Sequence, residues 1–188
     1  MTKSLIKFSL ASIALIAGAI LPISLSTNPV SAVELPNGEV AFSKGPRLTR
    51  AATTSRSRNS PIATYQFTIE VPEDAQEALG SVVIQQRSGG DTVTFKDDKS
   101  SAFFGDSLAG GSDVSLAAVG GDIEQQPGEA IVVFDQPIEP GNTVTVRVKP
   151  KRNPSSAGGY QFGVTAYPEG ENSRGLYLGS RRININND

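Results

Sequence analysis

From Thr64 to Val71 the chain reads Thr-Tyr-Gln-Phe-Thr-Ile-Glu-Val, with a large apolar residue at every second place and a polar one in each gap. A period of two suits a strand with one face in a core and the other toward water. The same rhythm returns in Thr143–Lys149 and in Tyr160–Tyr167. Shorter apolar runs at Ser81–Arg87, Thr92–Lys96, Asp113–Val119 and Ala130–Asp135 are separated by Ser88-Gly89-Gly90-Asp91, Gly120-Gly121, Pro127-Gly128 and Pro140-Gly141-Asn142. Glycine and proline at those joints mark turns between strands. Seven or eight short strands punctuated in this way predict a mainly β fold. The preferred architecture is an antiparallel β-sandwich, with an open β-barrel as the alternative.

The finer expectations follow from local chemistry. Pro72–Leu79 opens on proline, carries three acidic residues and continues with Ala, Gln and Leu, which suits one short helix near 72–79. Ser81–Arg87 and Thr92–Lys96 are expected to form a hairpin, and Leu176–Leu178 with Arg182–Ile185 a second one. Asp97–Gly111 reads as a loop whose Phe103-Phe104 pair plugs the edge of the core.

The first 32 residues have a different design. Lys3 and Lys7 precede an apolar run from Phe8 to Leu21, and Val30 and Ala32 supply the small residues that precede a signal-peptidase cut. The run is shorter than the roughly 20 residues that cross a bilayer, and Pro22 ends it. Residues 1–32 are therefore expected to be a cleaved signal peptide, leaving no transmembrane segment and an exported protein, periplasmic or at the cell surface. Cleavage removes two of the 17 basic residues and none of the 19 acidic ones, taking the formal charge from −2 to −4. A weakly acidic chain is a poor ligand for nucleic acid. Residues 33–61, rich in Ser, Thr and Ala with Lys44, Arg47, Arg50, Arg56 and Arg58, read as a flexible basic lead-in, with Glu39–Phe42 suited to a weak strand. A single β-rich domain is expected over 62–188.

Two absences limit the chemistry. The sequence contains no histidine and no cysteine. Ser–His and Cys–His nucleophile pairs, histidine-held metals and thiol chemistry are excluded. The S-x-x-K spacing occurs at Ser4–Lys7, inside the leader, and the glycine pairs lack the lysine of a phosphate loop. Hydrolysis of an extracellular glycan by two carboxylates survives by residue type, with Asp97, Asp98, Asp106, Asp122, Glu124 and Glu129 available. Solvated loop acids are the plainer account of all six. Asp106 and Asp113 bracket a stretch whose carbonyls and carboxylates suit calcium. No other cofactor is implied.

Two surface features remain. Arg147, Lys149 and Lys151 extend the polar face of the Thr143–Lys149 strand, and Arg152 follows. Such a ladder suits an anionic polysaccharide or lipid headgroup, and equally suits a solvated face that discourages edge pairing. Tyr160, Tyr167 and Tyr177 cluster near the carboxy terminus. Tyr160 shares a face with Phe162 and Val164 and belongs in the core. Tyr167 has the opposite parity and is the candidate for stacking on a ligand.

Several of these segments resemble one family. Ala63–Val71 with Pro72-Glu73-Asp74-Ala75, Val83-Ile84-Gln85-Gln86, Val133-Phe134 with Pro137, and Pro140-Gly141-Asn142-Thr143-Val144 resemble the cyanobacterial Domain of Unknown Function 2808. So do Lys149-Pro150-Lys151-Arg152-Asn153-Pro154, Gly159–Pro168, Gly175 and Leu178-Gly179. The Ser43–Ser60 lead-in departs from that pattern. The resemblance implies an exported protein with no assigned activity and carries no site residues. The expected function is a non-enzymatic binding or structural module of the envelope, with an envelope protein or polysaccharide as partner. The alternatives are a carboxylate-dependent enzyme on extracellular glycan and a carrier of a ligand or ion.

Overall fold

A computed structural model describes residues 33–34, 38–106, 110–117 and 126–186. The proposed signal peptide and its cleavage point lie outside these residues, as do Asp122 and Glu124. The strands are β1 (Val33–Glu34), β2 (Val40–Ala41), β3 (Arg47–Thr53), β4 (Tyr65–Glu70), β5 (Leu79–Ser88), β6 (Ser101–Phe104), β7 (Asp113–Val114), β8 (Glu129–Ile138), β9 (Thr143–Val148), β10 (Gly158–Pro168) and β11 (Leu176–Ile185). Beyond the small β1–β2 pair there are two antiparallel sheets, one ordered β11-β10-β5-β8 and the other β3-β4-β9-β6-β7. The fold is mainly β, as the alternation predicts, and it is a sandwich of two sheets; the barrel alternative is set aside.

The core lies between the sheets. Tyr65, Phe67 and Ile69 of β4 and Val144, Val146 and Val148 of β9 face Val82 and Ile84 of β5, Val132 and Phe134 of β8, and Tyr160, Phe162 and Val164 of β10. Phe162 lies at the centre of the aromatic contacts, with ring centroids 5.4 Å from Tyr65, 6.0 Å from Phe67 and 6.2 Å from Phe95, all at steep interplanar angles. Edge-to-face packing of this kind satisfies the ring quadrupoles.

One flank of the sandwich is sewn shut. Val114 pairs with Ala102 of β6, and three residues later the same chain pairs with β8: the Ala117 N–H donates to the Val133 carbonyl at 3.0 Å, and the Asp135 N–H to the Ser115 carbonyl at 3.0 Å. At the other flank β11 lies against β3, where Arg181 Nη2 donates to the Leu48 carbonyl at 2.8 Å.

Five local expectations are corrected. Residues 72–79 form no helix. Gln76 has φ +67°, a left-handed conformation that ends any helical run. The acids meant for a first helical turn serve other partners: Asp74 pairs with Lys44 at 2.6 Å, and Glu77 accepts the Ser43 N–H at 2.7 Å. Residues 33–61 are not simply a lead-in, because Arg47–Thr53 forms the edge strand β3, with Leu48 buried in the core and Arg47 paired to Glu70 at 2.7 Å. Arg50 donates to Thr68 Oγ1, which meets Thr145 Oγ1 at 2.9 Å, and Thr145 donates to the Gly105 carbonyl. An edge strand needs only one apolar residue facing inward, and Leu48 is easily lost among the arginines.

The Ser81–Arg87/Thr92–Lys96 hairpin does not form. Both edges of β5 are occupied by longer strands, β10 and β8, and residues 94–96 run instead beside Lys149–Lys151. The carboxy-terminal hairpin is likewise absent: Leu176–Ile185 is one strand, bulged near Gly179 and paired along β10. Phe103 is buried and Phe104 exposed, but both belong to β6 within the five-stranded sheet and not to a loop.

Candidate functional site

At one end of the sandwich a pocket of about 420 Å³ opens between residue 59, the loop Asp91–Thr94 and the segment Lys151–Ser155. Beyond β9 the chain pairs with residues 94–96 as far as Lys151, whose N–H donates to the Thr94 carbonyl at 2.8 Å, and Lys151 and Arg152 line this opening. Both are exposed, and among the described residues neither is held in an ion pair. Asn59, Thr92, Thr94 and Ser155 supply polar neighbours.

Two hydrogen-bonded hubs fix the walls. The first is Asn153, fully buried. Its Oδ1 accepts the Tyr65 hydroxyl at 2.9 Å, its Nδ2 donates to the carbonyls of Ser55 (3.0 Å) and Ser57 (2.8 Å), and its N–H donates to the Ser60 carbonyl at 2.9 Å. One side chain thus ties the 55–60 loop to β4. Burial drives the Tyr65 phenol far above its ordinary pKa, so it stays a donor at every accessible pH.

The second hub is Asp91. Its Oδ2 accepts the Ser155 N–H and hydroxyl, each at 2.8 Å, and the Ser156 N–H at 2.9 Å; its Oδ1 accepts the Ser156 hydroxyl at 3.0 Å. The adjacent Gln86 side chain donates to the Asp91 carbonyl and accepts the Val93 N–H, both at 2.7 Å. The Ser156 N–H and the two serine hydroxyls hold the Asp91 carboxyl below its ordinary pKa. The sign of the linkage follows. A depressed folded pKa means the clasp stabilises fully above the unfolded value, near 4, and loses that contribution as pH falls through the lower folded value. The expected result is a clasp intact at pH 5 and opening only in the acid range below pH 4. Amide exchange at Ser155 and Ser156 against pH reports it, and opening already near pH 6 would contradict the assignment.

The basic ladder is divided by the structure. Lys151 and Arg152 share the pocket. Lys149 is half-buried, and its carbonyl takes the Lys96 N–H at 2.8 Å. Arg147 lies on the outer face of the five-stranded sheet, its guanidinium carbon 4.3 Å from the centroid of the Phe103 ring. Tyr167 is on the outer face of the four-stranded sheet, half-buried, opposite Ser81 in register. Asp106 is exposed just beyond β6. Asp113 lines a separate cleft of about 580 Å³ with Asp135, Glu139 and Glu169, but among the described residues no three acids gather as a metal-binding group.

Asn59, Asp91, Thr92 and Thr94 were not expected at the site, since they come from segments far from Lys151 in sequence. Only Asn153 left a trace, in the Arg-Asn-Pro string.

Comparison with other proteins yields limited likeness. BslA, described as a bacterial hydrophobin, superposes with a TM-score of 0.42 at 14% identity, over 76% of this chain and 98% of that one. The collagen-binding domain of a Staphylococcus aureus adhesin gives a TM-score of 0.38 at 9% identity over 72% and 94% of the two chains. The collagen-binding subdomain of the Enterococcus faecalis surface protein ACE gives 0.38 at 9% over 73% and 93%. No curated protein sequence matches. No helix among the described residues is long and apolar enough to cross a membrane. The profile of one sequence family does match, across residues 39–185 and so over most of the sandwich, and the chain belongs to that family, described as protein of unknown function (DUF2808).

Proposed function

We propose that this chain works, after export, as a non-catalytic binding module of the cell envelope that takes an acidic polysaccharide at the Lys151–Arg152 pocket. One observation carries the reading. Two cations without an acid partner among the described residues project beside a pocket whose walls are already held by Asn153 and Asp91. A site ordered before its ligand arrives loses little entropy on binding. Polar groups such as Thr92, Thr94 and Asn59 suit the hydroxyls of a sugar, while Lys151 and Arg152 suit its carboxylates.

The test is titration of the mature protein with polygalacturonate at two salt concentrations. The Lys151→Glu/Arg152→Glu variant is expected to bind at least about tenfold more weakly, and the native protein to weaken as salt rises. Equal affinity of the two proteins would remove the pocket from the function. A catalytic reading has one foothold, the cleft of Asp113, Asp135, Glu139 and Glu169. Release of reducing ends during the same titration would move the function there.

A further inference from the structure

On the outer face of the four-stranded sheet two tyrosine rings lie across the β10–β11 pair, and each covers a glycine. Tyr177 of β11 reaches over Gly163 of β10, where a Cβ would come within 2.8 Å of Tyr177 Cε2. Tyr167 of β10 reaches the other way over Gly175, where a Cβ would come within 2.7 Å of Tyr167 Cε1. Thr165 stands between them, two residues before Tyr167 and opposite Tyr177 in register. A side chain at either glycine would push its ring off the sheet. With glycine there, each ring lies close over the backbone, Tyr177 exposed and Tyr167 half-buried.

The rings are steadied and flanked by polar groups. The Tyr177 hydroxyl is 2.6 Å from Ser180 Oγ, while the residue remains 53% exposed. The Arg87 guanidinium carbon is 6.0 Å from the Tyr177 ring centroid, and Arg87 Nη1 donates to Gln85 Oε1 at 2.9 Å. Arg182 repeats the arrangement at the other end of β10, its Cδ 2.8 Å from a Cβ placed on Gly159. Strands β5, β10 and β11 contain no acidic residue, and Arg87 and Arg182 lie on this face; Arg181 turns instead to Leu48 of β3, and Glu129 of the fourth strand, β8, stands opposite Gln85. This face therefore joins flat aromatic surface, amides and the positive charge of Arg87 and Arg182.

We propose that this face is a second binding surface for an acidic polysaccharide, with successive sugar rings stacking on Tyr167 and Tyr177 and the acid groups meeting Arg87 and Arg182. The ligand class rests on the reading of the Lys151–Arg152 pocket, but the residues are separate. The structural alternative is that the rings only fill the gaps left by glycine in the sheet.

Polygalacturonate binding by the full mature chain separates these accounts. In Tyr167→Leu/Tyr177→Leu the glycines stay covered while the π faces are lost, and affinity is expected to fall at least about tenfold with little change in melting temperature. Tyrosine emission gives a second readout. The chain has four tyrosines and no tryptophan, and the buried Tyr65 and Tyr160 lie beside the pocket, so a ligand-induced change in the Lys151→Glu/Arg152→Glu variant reports on Tyr167 and Tyr177. If the leucine variant does not fold, Arg87→Gln/Arg182→Gln serves instead, with a several-fold loss expected and an unaltered melt.

Unchanged affinity in the folded tyrosine variant, or in the arginine variant, overturns this surface even where Lys151→Glu/Arg152→Glu abolishes binding. Loss in the tyrosine variant with native affinity in the pocket variant supports the surface and overturns the pocket. Failure of the native protein to bind polygalacturonate overturns both.

Discussion

Phe162→Ala is expected to destabilise the protein by about 4 kcal/mol, the range for emptying a large buried aromatic site. Phe162 is fully buried and meets Tyr65 and Phe67 of the opposite sheet as well as Phe95 from the loop beneath the pocket. The cavity would lie between the two layers, where the remaining rings are anchored on β4 and on the segment of Phe95 and collapse only in part. Urea denaturation should show a large fall in the midpoint with an unchanged slope. Phe104→Ala is the control, because Phe104 is 41% exposed on β6 and a surface truncation costs within about 0.5 kcal/mol. Equal effects from the two substitutions would mean that the layers are not packed through Phe162.

Asn153→Ala is expected to cost about 3 kcal/mol for a different reason. It adds little empty volume, but it strands the Tyr65 hydroxyl in the core and takes donors from two carbonyls. An orphaned buried polar group costs roughly 1–3 kcal/mol. The sharper form of the prediction is a double-mutant cycle. Tyr65→Phe should destabilise the native protein, since it leaves Asn153 Oδ1 without its donor. In the Asn153→Ala background it should be nearly neutral, or slightly stabilising, because the stranded hydroxyl goes with it. Additive losses would show that the two side chains do not depend on one another. The pocket offers a second readout: without the Asn153 side chain the 55–57 segment loses its tie and residues 59 and 60 keep only their backbone bonds to Pro154 and residue 153, so polysaccharide binding should weaken further than the melting point alone implies.

What could be read in advance depended on how local each cause was. β4, β9 and β10 were legible because each alternates over six or more residues, and the alternation follows from one face of each strand lying in the core between the sheets, even though Gln66, Thr68 and Thr145 on the other face are buried too. Partner choice was not legible. The run Val82–Ile84 is equally apolar beside either neighbour, and only the lengths of β8 and β10 decide that β5 lies between them. The helix at 72–79 was misread because Glu, Ala, Gln and Leu favour helices, whereas Ser43 and Lys44 bind the acids from a distance and Gln76 adopts a left-handed turn. Edge strand β3 was hidden by its own arginines.

At the site, Lys151 and Arg152 announced themselves by charge, as the end of the basic run that continues beyond β9. Their neighbours did not, because Asn59 and Asp91 arrive through the tertiary ties of Asn153 and of Ser155 and Ser156. The parity argument separated Tyr160 from Tyr167 correctly as inner and outer residues. It had no means of showing that Tyr167 and Tyr177 lie down over Gly175 and Gly163, which depends on the register between β10 and β11.

The chain from Asp113 to Ala117 belongs to both layers and so acts as a spine, with the two sheets as the covers of a book. The covers part most easily at the fore-edge, where Arg181 bridges β11 to Leu48. A foreign strand seeking entry between the layers meets covalent backbone on the spine side and is confined to the opposite margin.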